Sequence, residues 1–303
     1  MATALLGVLL WVVISIVVNI ANAPDEPLPL PKTSVAEFDP SLPRINTPED
    51  MAIFLTEQGY AGAALIRGYW AWMAERGYPL ESFEGLLPDQ QIVNEDDAEL
   101  ILMAGAGDLD AAHMLAERSL HQHRDPLGAI EWYDQAIVNG SIFAMLRVAD
   151  LITTLSDPAL NEFVAEPEWK AALEQLNNEL PPPLERALAW TLAAIIVGGY
   201  PVSLGPLETG QIELLVEQLD RAGVERACEL AQTYVLDTAA QRRVNGGAIF
   251  SAQPPPLAFT VANPAAHIPC STPIMPLVSL DNCARYDYVG PRPSLMSAWV
   301  CPY

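Results

Sequence analysis

The chain contains few basic residues. Of its 303 residues only 15 are Lys or Arg, against 38 Asp or Glu, so the formal net charge is −23 at pH 7. A surface of this charge repels phosphate backbones and anionic lipid headgroups. We therefore expect no nucleic-acid partner, and we expect the acidity to serve solubility rather than one specific basic partner.

Sequence motifs for known chemistry are also lacking. The chain has no His-Glu-x-x-His, no glycine-rich loop before Lys-Ser/Thr and no calcium-loop spacing. Ser203 lies in Pro-Val-Ser-Leu-Gly, which lacks the first glycine of a nucleophile elbow. No Cys-x-x-Cys is present, so redox and zinc chemistry have no local motif. These absences predict a protein without a cofactor and favour a function without enzymatic activity over an enzyme, which stays open as the alternative.

The four cysteines are unevenly placed. Cys228 lies in the middle part of the chain, whereas Cys270, Cys283 and Cys301 lie in the last 34 residues. An even number in an exported chain favours disulfides, and four cysteines allow three pairings that the sequence does not rank.

The first 23 residues form an apolar run without Lys, Arg, Asp or Glu. Such a run is long enough to span a bilayer as a helix. Ala21-Asn22-Ala23 fits a signal-peptide cleavage site, but Pro24 should hinder the peptidase. We expect an N-terminal hydrophobic helix that anchors the protein through residues 2–23; a cleaved signal is the alternative. Asp25 and Glu26 favour the non-cytoplasmic side, so the protein is expected in the cell envelope, either membrane-anchored or periplasmic or secreted.

Two proline-rich segments flank the central part of the chain. Residues 24–47 are predicted to form an extended linker. Residues 245–303 contain many prolines and three cysteines, which exclude regular helix and predict an irregular tail of loop, short strand or extended chain. The aromatic residues of this tail suggest that it packs onto another part of the protein.

A repeated pattern of small residues marks the central segment, 48–244. Gly107 and Ala111, four residues apart, recur 33 residues later as Gly140 and Ala144. A period of this length, with small residues at helical spacing, is typical of stacked helix pairs, because the small side chains let neighbouring helices approach closely. The segment is therefore predicted to be an α-solenoid. Its predicted helices are Pro48–Gln58, Ala61–Arg76, one starting near Asp96, Leu109–Leu120, Leu127–Val138, Ser141–Thr154, Glu168–Leu180, Leu184–Val197, Ile212–Ala222 and Glu225–Thr238.

One stretch of the repeat resembles a known family. Gly128-Ala129, Trp132-Tyr133 and Ala136 follow the Ala-x-x-Trp-(Tyr/Phe)-x-x-Ala pattern of Sel1-like repeats, a branch of the tetratricopeptide repeats. Weaker echoes extend over roughly residues 50 to 240. The resemblance implies an all-α fold of Sel1-like helix pairs over 48–244. The chain departs from the family at residues 119–124, which replace the usual Gly-x-Gly-Val turn.

Repeat scaffolds of this kind recognise proteins or peptides along the groove that their helices form. We therefore expect a protein or peptide partner. Binding residues are expected among exposed side chains on the first helix of each pair, and Arg67, His113 and Arg147 are the candidates.

Two alternative functions remain open from the sequence. His113, His121 and His123 fall within eleven residues and could converge on a metal in an envelope hydrolase. The simpler interpretation is that these histidines are solvent-exposed polar residues at a turn. The third possibility is a structural spacer without a ligand.

Overall fold

The computed structural model describes residues 39, 41–78, 95–156, 167–178, 181–200, 206–248, 250–261, 264–290 and 294–302. The chain divides into two compact units, Met1–Ser41 and Leu42–Tyr303. The predicted hydrophobic helix at 1–23 and most of the linker at 24–47 lie outside the described residues. Within the described ranges, no helix is long and apolar enough to cross a membrane.

The unit Leu42–Tyr303 is mostly helical, as the sequence predicts. Its described helices are α1 (Pro48–Glu57), α2 (Gly62–Ala74), α3 (Asp97–Gly105), α4 (Leu109–His121), α5 (Pro126–Asn139), α6 (Ile142–Ser156), α7 (Pro167–Asn178), α8 (Pro183–Gly198), α9 (Pro206–Gln218) and α10 (Arg221–Val244).

Side-chain caps explain where several helices begin. Thr47 accepts a hydrogen bond from the backbone N–H of Asp50, and the Asp50 carboxylate accepts one from the backbone of Thr47, which is a capping box at the start of α1. Asp108 caps α4 in the same manner by accepting from Ala111 N at 3.0 Å. Asp220 caps α10, so this helix starts at Arg221 and not at Glu225, where the sequence analysis placed it.

Consecutive helices pack against one another through small residues. α3 packs on α4, α4 on α5, and α5 on α6. Ala111 of α4 and Ala144 of α6, the two equivalent positions of the sequence repeat, are both fully buried. Helix α8 lies between α6 and α10 and is buried along most of its length.

The tail, which the sequence predicts to be loop, short strand or extended chain, is more regular than an irregular tail. It contains a three-stranded antiparallel sheet of β1 (Leu257–Val261), β2 (Ala284–Val289) and β3 (Leu295–Val300), with β3 in the centre. A short 3-10 helix, Pro264–His267, follows β1. The strands form because their prolines fall between them, where no ladder hydrogen bond is needed. The short-strand option of the sequence analysis is therefore the correct one.

The sheet packs against the beginning of the helical region. Tyr69 of α2 meets Phe259 of β1 edge to face, with ring centroids 5.0 Å apart. The hydroxyls of Tyr60 and Tyr286 lie 3.0 Å apart. Ile45 N donates to Val289 O, and Val289 N donates to Pro43 O, both at 3.0 Å. The last linker residues therefore pair with β2, and the tail aromatics do pack onto the body as expected.

Two disulfides link the four cysteines. Cys228 of α10 pairs with Cys270, which follows the 3-10 helix, and Cys283 pairs with Cys301. The first bridge ties the tail to the helices, and the second joins the two ends of the segment that carries β2 and β3. Disulfides of this kind are typical of proteins in oxidising, non-cytoplasmic compartments.

Candidate functional site

The three expected binding residues have different environments. Arg67 is exposed on α2 and Arg147 of α6 is about one third exposed, with 30% of its side chain accessible. His113 of α4 is buried, so its expected exposure is wrong. The buried stripe of α4 is wide and includes Ala112, because the loop after α2 and the start of α6 cover this side of the helix.

The His113 ring lies in an aromatic and hydroxyl environment. Its Nε2 is 2.9 Å from Ser141 Oγ, and its ring packs 5.5 Å from that of Phe143 and 6.2 Å from that of Tyr133. Burial lowers the pKa of His113 to about 4, so the ring is neutral at pH 7. A neutral, enclosed imidazole holds helices together and does not meet a partner at the surface.

Arg147 belongs to a polar network across α4, α5 and α6. Glu117 Oε1 accepts a hydrogen bond of 2.5 Å from the Tyr133 hydroxyl and one of 2.9 Å from Arg147 NH2. Arg147 NH1 also pairs with Asp150 at 3.0 Å. Glu117, Tyr133 and Arg147 meet because each lies on the side of its own helix that faces the other two helices. His113 and Arg147 are thus neighbours through Tyr133, whereas the described contacts do not bring Arg67 to them.

The protonation states of this network are fixed. Burial alone would raise the pKa of Glu117, but the bonds from Tyr133 and Arg147 outweigh it and lower that pKa below its usual range. Burial raises the pKa of Tyr133 far above its usual value. The Tyr133 phenol therefore stays protonated and donates to the ionised Glu117 carboxylate, which also accepts from Arg147. The network joins three helices.

The structure does not bring the three histidines together. His121 Nε2 lies 3.1 Å from Glu117 Oε2, while His123 Nε2 lies 3.2 Å from Asp97 Oδ2. Both of these side chains are exposed, in contrast to His113. Throughout the described part of the chain, no group of three or more His, Cys, Asp or Glu side chains is placed to hold a metal. The metal-site hypothesis gains no support from these positions.

A concave surface lies between α5 and α10. It is an open groove of about 550 Å³, which we call the α5–α10 groove, and it is lined by Asp134, Gln135, Val138, Ala240, Gln241, Val244 and Asn245. Val244 is 86% exposed there. Pockets of a few hundred Å³ with an apolar floor and a few polar groups are typical of ligand sites.

Asp134 gives this groove its charge. Water reaches the side chain, but the protein on either side of the groove partly desolvates the carboxylate and raises its pKa to about 6. The positive charge of Arg186 works against this rise, and the negative charge of Glu131 adds to it. Asp134 is therefore mostly ionised at pH 7 and places a negative charge beside the apolar Val138 and Val244.

None of the groove residues was a candidate from the sequence. The sequence does show a helical spacing among them. Ala240 and Val244 lie four residues apart, and so do Gln241 and Asn245. The sequence does not show that α5 and α10 are close, because about 100 residues separate them and only the packing of the intervening helices brings them together.

Comparisons with known proteins find no match for the chain. No protein-family model matches it. Searches of curated proteins and of solved structures find no match either. The resemblance of residues 125–136 to Sel1-like repeats therefore remains a prediction that depends on those residues alone.

Proposed function

We propose that the chain is an exported Sel1-like α-solenoid that binds a segment of a partner protein in the α5–α10 groove, within the cell envelope. The groove, with its apolar floor and its ionised carboxylate, is the observation that carries this proposal. The sequential packing of α3 to α6 and the buried alanines of the repeat support the solenoid assignment. The disulfides support an oxidising location, and an uncleaved segment at residues 2–23 would tether the protein to the membrane.

The groove selects the chemistry of the partner segment. An apolar side chain of the partner fits over Val138 and Val244, while a Lys or Arg fits beside Asp134. The overall charge of −23, which the sequence alone assigns to solubility, also attracts such a basic segment before contact. An amphipathic basic segment, extended or helical, is therefore the expected ligand.

Site-specific photocrosslinking tests the location of binding. A photoreactive amino acid replaces Gln241 in the groove, and in a parallel variant it replaces Gln232. The two glutamines are exposed on the same helix, nine residues apart, and so face opposite sides of α10. We expect a specific crosslinked protein in envelope extract from position 241 only. Equal capture at both positions would show that the groove is not the binding surface.

A purified segment of the captured partner then tests the chemistry. Val244→Asn should weaken its binding about tenfold, because a polar side chain of similar size replaces the apolar contact without a change of charge. The matched control is Leu236→Asn, at a similarly exposed apolar residue of α10 outside the groove. Because the pKa of Asp134 is about 6, the attraction to a basic segment should be present at pH 7.5 and largely lost at pH 5. An affinity that changes neither with Val244→Asn nor with pH would refute the proposal.

A further inference from the structure

A second concave site lies where the ends of α2, α5 and α10 meet. This cleft has a volume of about 130 Å³ and is lined by Glu75, Arg76, Asn139, Gly140, Ile142, Val197, Arg242, Phe250 and Ser251. Two of the 15 basic residues of the chain thus line one small cleft in a protein of net charge −23. This concentration of positive charge is the feature that needs a physical reason.

The two guanidinium groups are buried and lie against aromatic rings. Arg76 is 7% exposed, with its guanidinium carbon 3.6 Å from the centroid of Trp72. Arg242 is 8% exposed and lies 4.5 Å from the centroid of Phe250. A guanidinium that stacks by its face keeps its N–H edge free to point elsewhere.

Neutral oxygens supply most of the partners of these groups. Arg242 donates from Nε and NH2 to Ala248 O and from NH1 to Val138 O. These bonds leave the second N–H of each terminal nitrogen for another acceptor. No carboxylate in the described residues pairs with Arg242, and the carboxylate near Arg76 is that of Glu75, at 3.8 Å with a side chain that is 76% exposed.

Burying two positive charges with so little negative charge nearby is unfavourable in free energy. The desolvation of a charged group is offset only when an opposite charge and hydrogen bonds replace the lost water. Burial lowers the pKa of Arg76 to about 10 and also lowers that of Arg242, yet both remain charged at neutral pH. An anion in the cleft would supply the missing countercharge and accept the remaining N–H groups.

The size of the cleft limits the anion. A volume of about 130 Å³ is enough for a small group such as a phosphate or a carboxylate. The planar N–H fork of arginine matches the paired oxygens of such groups.

We propose that the cleft between Arg76 and Arg242 is a binding site for a small oxyanion, a phosphate or a carboxylate. The N–H edges of the two guanidinium groups donate to the oxygens of the anion from two sides. Asn139 and Ser251 also line the cleft and supply neutral donors. Glu75 is the local competitor, because its carboxylate is next to Arg76 and is repelled by an incoming anion.

Calorimetric titration of the purified full-length protein tests this site, with inorganic phosphate in one arm, acetate in the other, and chloride at matched ionic strength as the reference. We expect saturable binding of at least one oxyanion, and the arm that saturates identifies the kind of group. Arg242→Gln should weaken this binding about tenfold or more, since a paired, buried charge is lost.

A charge-matched pair of variants keeps the test decisive if Arg242→Gln fails to fold. Glu75→Gln removes the competing carboxylate and should tighten binding about threefold. Glu99→Gln changes the net charge equally at an exposed position of α3, and should leave the affinity unchanged. The proposal is overturned if neither oxyanion binds better than chloride, or if Glu75→Gln and Glu99→Gln change the affinity to the same extent.

Discussion

At the scale of the residue, His113 shows how burial determines the pKa of a side chain. The ring is enclosed between α4, α5 and α6, and the charged groups that act on it are Glu117, Arg147 and Asp108. The two carboxylates favour the protonated ring and Arg147 opposes it, but the loss of water dominates and lowers the pKa from 6.5 to about 4. The unfolded chain therefore binds a proton at mildly acidic pH that the folded protein excludes.

We expect this difference to make the protein less stable as the pH falls. The contribution of His113 is complete above pH 6.5 and is lost progressively as the pH falls toward 4. Between pH 7.5 and pH 5 the loss amounts to about 2 kcal/mol. His113→Asn should remove this part of the pH dependence, while it lowers stability at pH 7.5 by about 1 to 3 kcal/mol through lost ring packing. Urea unfolding of both proteins at the two pH values measures the difference.

The exposed His121 provides the control for this prediction. Its side chain is 69% accessible, so His121→Asn should leave the slope of stability against pH close to that of the wild type. A His113→Asn protein that still loses the same stability as the wild type between pH 7.5 and pH 5 would contradict the assigned cause.

At the scale of the element, Gly77 determines how α2 meets α6. Arg76 O accepts hydrogen bonds from Ile142 N and Phe143 N, so the second residue after α2 satisfies two donors at the start of α6. Gly77 follows with φ of +78°, and a Cβ on it would lie 2.3 Å from Ser141 Oγ and 3.0 Å from His113 Cε1. Both the backbone angle and the close approach require glycine.

Gly77→Ala should therefore destabilise the protein by about 3 kcal/mol, of which about 1 kcal/mol is the backbone angle and the rest is the clash. Gly59→Ala is the matched control, because Gly59 has φ of +88° but no atom within 4 Å of its would-be Cβ. Gly59→Ala should lower the free energy of unfolding only by the contribution of the backbone angle, about 1 kcal/mol. Chemical denaturation of both variants checks this, and equal losses would mean that the contact with α6 is looser than the structure indicates.

The elements also differ in how well the sequence predicts them: the helices are predictable and the strands of the tail are not. Signals such as Thr47 before Pro48, or Gly140 with φ of +119° after α5, act within a few residues and are visible in the sequence. The strands of the tail obtain their stability from partners further along the chain, as when Phe259 pairs with Ala298. A pattern interrupted by prolines does not reveal such pairing. The start of α10 was missed because Asp220, its cap, lay inside a helix that the sequence analysis extended too far.

At the scale of the whole molecule, function-related features arise where distant segments meet. The α5–α10 groove joins residues 134–138 to residues 240–245, and the oxyanion cleft joins Arg76 to Arg242. From the sequence, His113 and Arg147 are expected as exposed binding residues, whereas in the structure both belong to contacts among α4, α5 and α6. Helical periodicity defines faces, and only the packing of the complete unit decides which faces remain open.

The two disulfides also belong to the scale of the whole molecule, because each bridge closes a long loop of the chain. Cys228–Cys270 closes 42 residues and Cys283–Cys301 closes 18. On loop entropy alone, removal of the first bridge should cost about 4 kcal/mol and of the second about 3 kcal/mol. We expect the double variant Cys228→Ala, Cys270→Ala to release the tail from α10 yet to keep the helical circular dichroism signal at 25 °C, since the helices pack through α8 and the sheet still contacts α2 through Tyr69 and Phe259.

Thermal unfolding of the two double-cysteine variants, followed by far-ultraviolet circular dichroism, measures these effects. Removal of Cys228–Cys270 should lower the melting temperature more than removal of Cys283–Cys301, and limited proteolysis should first cut the segment between Val261 and Ala284, which the lost bridge no longer holds to α10. If the variant without Cys228–Cys270 instead loses its helical signal at 25 °C, the bridge stabilises the helical region itself. The packing of α8 between α6 and α10 would then be too weak to hold these helices together without a covalent link.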